Sequence, residues 1–233
     1  MSQSRKSWIA LTAVAASALV ALAGTARAAV IISEVSPWSS GNSPYQADWF
    51  ELTNTGAAAV DIAGWKMDDN SFNIANAVGL RGVASLAPGQ SAVFVESVAA
   101  SDPTAALIDA VVQGDFIDFW FGGSAPAGFA IGAYGGSGTG LGTGGDGVVI
   151  FDASDVEVTR VSFGSSTSGF TFDNAAGING AISQLSAVGV NGAFQVANEV
   201  GSPGTIGGVI PEPASFALAG LGALAFAALR RRK

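Results

Sequence analysis

The chain has 233 residues, 32 of them glycine, and a formal net charge of -8. It contains neither cysteine nor histidine, which excludes disulfides, thiolate sites, Ser-His and Cys-His nucleophile systems and the commonest zinc ligand. Between residues 29 and 210 there are 17 acidic residues and three basic ones, Lys66, Arg81 and Arg160. A segment with this excess of negative charge repels phosphate backbones. We therefore expect no nucleic-acid partner.

The N-terminus has the three parts of a secretion signal. Arg5 and Lys6 precede an apolar run over residues 8–23, and Ala26-Arg27-Ala28 is a small-residue cleavage pattern. We predict that residues 1–28 direct the chain to the Sec export machinery and are cleaved between Ala28 and Ala29. The alternative is an uncleaved membrane anchor, but the run is shorter than the roughly 20 residues that span a bilayer.

Short alternating runs predict β-strands in the middle of the chain. They cover residues 30–35, 48–53, 60–67, 91–96, 147–151 and 156–163, and turn-forming residues such as Asn54-Thr55-Gly56 and Pro88-Gly89 separate them. Seven or so such strands predict an all-β sandwich over residues 29–164, with helix mostly confined to the two termini. Alternation places Phe50, Leu52, Val60 and Ile62 on one core face.

The C-terminus is set apart from this domain. After an extension and linker over residues 165–209 comes Pro211-Glu212-Pro213, then an apolar stretch over residues 214–229 and the basic tip Arg230-Arg231-Arg232-Lys233. The stretch predicts a single short transmembrane helix whose tip stays in the cytoplasm, so that the domain lies on the far side of the membrane. A plain tail anchor is the alternative.

This ordered set of three elements over residues 210–233 resembles the PEP-CTERM sorting signal of Gram-negative bacteria. The resemblance implies that an exosortase recognises the tail. The precursor would be held in the inner membrane, the tail would be removed, and the protein would reach the outer envelope or an exopolysaccharide matrix.

A second resemblance covers roughly residues 30–164. The segments Ile32-Ser33-Glu34-Val35, Trp49-Phe50-Glu51-Leu52-Thr53-Asn54, Val60-Asp61-Ile62-Ala63-Gly64-Trp65, Leu86-Ala87-Pro88-Gly89 and Gly145-Asp146-Gly147-Val148-Val149-Ile150 resemble the lamin tail domain. The family implies an immunoglobulin-like β-sandwich. The chain departs from the pattern at about residues 96–144, where an Ala/Gly-rich insertion replaces a short connection. Glu199-Val200-Gly201-Ser202-Pro203-Gly204 resembles the Pro-Gly closing often seen after such domains.

Two pairs of side chains are candidates for a site. Glu34 and Glu51 are an obvious acid and base pair, but both fall where the family resemblance implies strand residues, so we expect a structural role. Trp49 and Trp65 form either a sugar-stacking platform or part of a core, and large buried aromatics favour the core.

The remaining motifs favour ordinary explanations. Gly140, Gly142 and Gly145 match G-x-G-x-x-G, but a strand follows instead of the helix that a dinucleotide site needs, which predicts a loop. Calcium could use the carboxylates of Asp68, Asp69, Asp115, Asp118, Asp146, Asp152 and Asp155, but their spacing matches no calcium loop, and simple solvation explains them. We assign no catalytic residue, metal ligand or cofactor.

Taken together, these features predict a non-enzymatic envelope or matrix protein that binds exopolysaccharide or a surface protein through loops of a rigid sandwich. Two alternatives remain at this point: a secreted hydrolase that uses paired carboxylates, and a purely structural matrix protein without a specific ligand.

Overall fold

The computed structural model of the chain describes residues 30–135 and 138–205. Within them the elements are β1 Val30–Ser36, β2 Trp49–Asn54, β3 Val60–Asp61, β4 Lys66–Asp68, β5 Val78–Gly79, β6 Ser85–Leu86, β7 Ser91–Ser97, α1 Ala105–Phe121, β8 Ala130–Gly135, β9 Asp146–Phe151, β10 Glu157–Phe163, β11 Phe172–Asp173, β12 Gly180–Ile182, β13 Phe194–Val196 and β14 Glu199–Gly201. Strands therefore dominate the described chain.

Two five-stranded sheets pack face to face. The first sheet has the order β11-β1-β2-β7-β8 and the second has the order β12-β10-β9-β4-β5, while β3-β6 and β13-β14 form two small ladders. Apolar side chains from both sheets fill the space between them, among them Ile32, Leu52, Phe94, Met67, Ile150 and Val161. The structure thus confirms the predicted all-β sandwich.

The predicted core face is also confirmed. Phe50, Leu52 and Ile62 are fully buried between the sheets, and Val60 packs against the same cluster while partly buried. Phe50 stacks on Phe94 with ring centroids 5.6 Å apart. Because successive side chains of a strand point to opposite faces, Trp49 and Glu51 lie on the outer face of the first sheet.

A β-bulge in β1 breaks this alternation. The pairing of β1 with β2 shifts between Ile32 and Glu34, and after the shift Glu34 lies opposite Glu51. The extra residue allows Ile32 and Val35 both to join the core between the sheets, although regular alternation would place them on opposite faces. The bulge therefore brings two carboxylates into register on neighbouring strands.

Helix α1 lies within the insertion, where the sequence predicts no helix; the two termini, where most of the helix is predicted, lie outside the described residues. The helix connects β7 to its parallel neighbour β8 and packs on the outer face of the first sheet. Phe116 and Trp120, four residues apart on one helix face, join Tyr45, Trp49 and Val95 in a second apolar cluster. A left-handed residue, Gly122, ends the helix.

Residues 165–205 form part of the folded domain. β11 pairs with β1 at the edge of the first sheet, and β12 pairs in parallel with β10 at the edge of the second. The sequence predicts only an extension and linker here, without strands. These strands are two or three residues long, so they carry too little alternation to be recognised from the sequence.

No helix in residues 30–135 and 138–205 is long and apolar enough to cross a membrane. The predicted signal peptide, with its cleavage between Ala28 and Ala29, lies outside the described residues. So do the predicted transmembrane helix over residues 214–229, the motif Pro211-Glu212-Pro213 and the basic tip from Arg230 to Lys233.

Truncating Phe50 or Leu52 to Ala should lower the free energy of unfolding by about 2–5 kcal/mol, because each change removes a fully buried side chain from the inter-sheet core. Val156→Ala is the control, since its side chain is 59% exposed; its effect should stay within about 0.5 kcal/mol. Urea unfolding of the purified chain measures all three. Losses below about 0.5 kcal/mol at both core positions would show that the register is wrong.

Candidate functional site: a buried glutamate pair beneath an aromatic cleft

Glu34 and Glu51 form a buried pair on the outer face of the first sheet. Their Cα atoms are partners in the β1–β2 ladder, and their relative exposures are 1% and 0%. Carboxylates are seldom so buried unless hydrogen-bond donors surround them. The role of the pair therefore depends on which groups donate hydrogen bonds to the two carboxylates.

Hydroxyl and backbone donors surround the Glu34 carboxylate. The hydroxyls of Thr171 and Ser186 donate to Oε1 at 2.5 and 3.3 Å. Ser202 donates twice: its backbone N–H to Oε1 at 2.8 Å and its hydroxyl to Oε2 at 2.9 Å. All of these donors lie at least 137 residues further along the chain.

The Glu51 carboxylate has a similar shell. The Ser33 hydroxyl donates to Oε1 at 2.7 Å, and the backbone N–H of Gly204 donates to Oε2 at 2.5 Å. Thr53 connects this shell to Ser91, because its hydroxyl lies 2.7 Å from that of Ser33 and 2.6 Å from that of Ser91. Both glutamates thus bind the backbone of one segment near the C-terminus.

We call residues 199–204 the C-terminal strap. Its first residue, Glu199, accepts a hydrogen bond from the Tyr45 hydroxyl at 2.9 Å. Gly201 has no room for a side chain, since a Cβ there would lie 2.9 Å from Glu34 Oε1 and 3.1 Å from the Trp120 ring. Three buried side chains of the sandwich body, Tyr45, Glu34 and Glu51, therefore hold the strap in place.

Burial raises the pKa of both glutamates. Loss of water is the largest cause at each site, and the charge of Glu34 adds to the increase at Glu51. Two like charges on facing strands cannot both ionise without a large cost, so the pair retains protons toward neutral pH. Asp48 behaves likewise, because its burial raises its pKa to about 7.

A cleft of about 380 Å³ lies over the strap. Its walls come from the start of β7, the end of α1, the loop before β8, the segment around β13 and the end of the strap, and they include Gln90, Ser91, Phe121, Phe129, Phe194 and Gly204. The three phenylalanine rings are half-buried. Gly204, which donates to Glu51, has a left-handed φ of 87° and contacts the Phe129 ring closely. The cleft and the glutamate pair thus share a wall.

The other candidate residues take structural positions. Trp65 lies in the inter-sheet core and Trp49 in the cluster under α1, which confirms the core interpretation for both. Gly140, Gly142 and Gly145 lie in the loop before β9, as predicted.

Three of the acidic residues considered as calcium ligands each contact partners of their own. Asp155 pairs with Lys66 at 2.5 Å, Asp152 accepts from backbone N–H groups in its own turn, and Asp68 accepts from Ser71 and Asn73. Over residues 30–135 and 138–205 no group of three or more His, Cys, Asp or Glu residues is arranged to hold a metal ion.

Sequence reasoning identified the two glutamates and the Ser202-Pro203-Gly204 closing, but it missed their connection. It also missed the cleft, because Phe121, Phe129 and Phe194 come from segments without strand alternation. One signal was available: every residue that lines the cleft lies in a run of the sequence without charge.

Comparison with known proteins agrees with this architecture. Residues 23–165, more than half of the chain, match the family model described as Lamin Tail Domain. Residues 209–233 match the PEP-CTERM protein-sorting motif. No curated protein matches the chain.

Stability should fall as the pH rises from about 4 to above 7. The unfolded chain releases the protons of Asp48, Glu34 and Glu51 near pH 4, whereas the native state keeps them until higher pH. The native state is therefore favoured most below the unfolded pKa, and this contribution is lost as the pH passes the raised pKa. The loss between pH 5 and pH 8 should exceed about 1 kcal/mol.

The combined substitution Glu34→Gln and Glu51→Gln should make this dependence shallower and leave the part that Asp48 contributes, because the amides keep the shape and do not titrate. Asp115→Asn is the matched control, since Asp115 is exposed. Urea unfolding at pH 5 and pH 8 measures each slope. A slope that is the same in all three proteins would show that the pair does not carry the dependence.

Gly201→Ala should destabilise the chain by more than about 1 kcal/mol, because the added methyl group must displace a buried glutamate or the Trp120 ring. Gly114→Ala, in the exposed middle of α1 with open space around it, should instead stabilise by about 0.5–1 kcal/mol. Urea midpoints compare the two. Equal effects would contradict the close contact between the strap and the pair.

Proposed function

Because this chain belongs to the lamin tail domain family and ends in a PEP-CTERM protein-sorting motif, we propose that it is a non-enzymatic exported protein of the cell envelope or extracellular matrix. An exosortase processes its tail, and its immunoglobulin-like sandwich binds exopolysaccharide at the cell surface. One observation carries this proposal: the chain combines a sorting motif with a domain that has an uncharged aromatic cleft. The buried strap lies between the two in the sequence.

The sorting route follows from the two termini. The Sec machinery exports the chain and the signal peptide is cleaved between Ala28 and Ala29. The apolar stretch over residues 214–229 then holds the precursor in the inner membrane, with Arg230 to Lys233 on the cytoplasmic side. The exosortase acts on the Pro211-Glu212-Pro213 element, where the two prolines keep the backbone extended and accessible.

The absence of catalysis is supported by how the carboxylates are used. A glycosidase places two carboxyl groups on either side of a bond that substrate brings between them. Here Glu34 and Glu51 are 0–1% exposed, and their oxygens accept hydrogen bonds from the protein's own hydroxyl and backbone groups. The pair is occupied in holding the strap, which favours a binding protein over the hydrolase alternative.

Glycan binding is supported by the composition of the cleft. Phe121, Phe129 and Phe194 offer apolar faces to the C–H faces of sugar rings, and the glycines at positions 89, 128 and 192 leave backbone groups open to hydroxyls. The lining has no charged residue, which suits a neutral sugar chain. Its volume of about 380 Å³ lies within the usual range for small-ligand sites.

Glu212→Ala should leave export intact and stop release, because the signal peptide acts first and the Pro-Glu-Pro element is needed only afterwards. A tagged chain is followed through inner-membrane, outer-membrane and medium fractions, and its mass is measured in each. We expect the variant to accumulate uncut in the inner membrane. If both forms reach the outside equally and with the same shortened mass, the sorting proposal fails.

Phe194→Ala should reduce binding to the host's extracted exopolysaccharide at least 10-fold, because it removes one wall of the cleft. Val156→Ala, outside the cleft, should bind like the unchanged protein. Co-sedimentation of the released protein with the polysaccharide measures both, and urea unfolding checks that Phe194→Ala folds. Equal binding by both variants would remove the cleft from the proposal. Shortening of the polysaccharide by the unchanged protein but not by Glu51→Gln would favour the hydrolase.

A further inference from the structure

The two ends of the domain leave it at the same place. Val30, at the start of β1, pairs with Asn54, and the backbone of Asn54 bonds to Gly89 and Gln90. Gly89 and Gln90 line the cleft together with Thr205, the last described residue. We call the end of the first sheet that contains Val30, Asn54, Gly89 and Thr205 the exit end. β7 begins at the exit end, and α1 returns to it.

The strap fixes the point from which the sorting tail starts. Ser202 and Gly204 are bound through their backbones to Glu34 and Glu51, so Thr205 stays beside the cleft while the domain is folded. Only residues 206–213 separate Thr205 from the start of the predicted membrane helix. Eight residues reach at most about 29 Å when fully extended. A domain of this size is about 40 Å across, so the tether is shorter than the body it holds.

The lining of the cleft is uncharged. Its walls come from four runs that contain no Asp, Glu, Lys or Arg, over residues 82–95, 119–145, 174–198 and 200–211. Val188 and Val190, in and beside the turn that presents Gly192 to the cleft, are 60% and 48% exposed. One exposed carboxylate, that of Asp118, lies on the last turn of α1 just before Phe121. Other acidic groups lie farther from the cleft: Asp48 and Glu96 meet at the opposite end of the first sheet, and the hairpin with Asp152 and Asp155 belongs to the second sheet.

These observations assign a partner to the exit end. Building on the exported, tail-processed protein proposed above, we propose that in the membrane-held precursor the exit end, with its uncharged cleft, rests on the lipid surface. A short tether draws this end toward the bilayer, and an anionic leaflet repels the uncharged cleft less than it repels the acidic opposite end. The cleft is then closed to glycan while the tail is attached and opens when the tail is removed. Processing therefore switches binding on.

The chain's lack of cysteine allows a direct test. Ala127→Cys places a thiol on the exposed rim of the cleft, and Ser101→Cys places one on the exposed loop after β7, away from the exit end. We call these the rim thiol and the loop thiol. Each is made in the Glu212→Ala chain, which stays in the membrane, and in the otherwise unchanged chain, which is released. A membrane-impermeant maleimide labels intact spheroplasts and the released protein.

We expect the rim thiol to react at least 10-fold more slowly than the loop thiol in the membrane-held form, and at a similar rate in the released form. Inserting about 20 Gly/Ser residues after Val209 of the membrane-held form should restore most of the reactivity of the rim thiol, because it lengthens the tether by roughly its coil dimension of 25 Å. The same slow labelling should persist in vesicles of phosphatidylethanolamine and phosphatidylglycerol that hold the purified precursor alone.

Each contrary result has its own meaning. Similar rates for the two thiols in the membrane-held form would overturn the proposal. Slow labelling of the rim thiol in the released form as well would show that protein rather than lipid covers the cleft, and slow labelling in cells but not in vesicles would assign the cover to a membrane protein. Release of the Glu212→Ala chain would instead overturn the sorting function on which the inference rests.

Discussion

The burial of two carboxylates on facing strands is the constraint on which the rest of the structure depends. Glu34 and Glu51 come into register through the bulge in β1, on a face that helix α1 and the strap cover. A buried carboxyl group without donors costs several kcal/mol, roughly, so the fold must supply donors. Ser33 and Thr53 supply donors to Glu51. The other donors are Thr171, Ser186 and the strap, all in the last fifth or so of the described chain.

This arrangement joins the two ends of the domain through side chains. β14 pairs with β13 in a separate small ladder, and the backbone of Val200 bonds to Gly169 and Thr171, just before β11. The carboxylates and the Tyr45 hydroxyl attach the strap further to the first sheet through side chains. Residues 30–163 provide most of the inter-sheet core, and Phe172 and Ile182 add to it, but the glutamates are satisfied only when residues 199–204 are in place. Completion of the domain therefore requires the strap.

Sequence reasoning succeeded where the signal was local. Phe50 and Leu52 alternate with Trp49 and Glu51, and this pattern gives the correct face for all four. Helix α1 was missed because Leu107 and Val111 are exposed while Phe116 and Trp120 are buried, so its apolar residues mark no single face. Both glutamates were placed on strands from the sequence, but their partners are separated from them by up to 168 residues, a distance that no local pattern reports.

A buried acid pair is a costly way to hold a strap, since two glutamines or an apolar contact would avoid the desolvation of a charge. What carboxylates add is directionality: each oxygen accepts from a fixed set of donors, and Gly201 and Gly204 allow the strap backbone to approach closely enough to provide them. One residue of slippage in the strap would leave a buried carboxylate without donors, so only one register is stable. That register fixes where Thr205 leaves the domain, and hence where the sorting tail begins relative to the cleft.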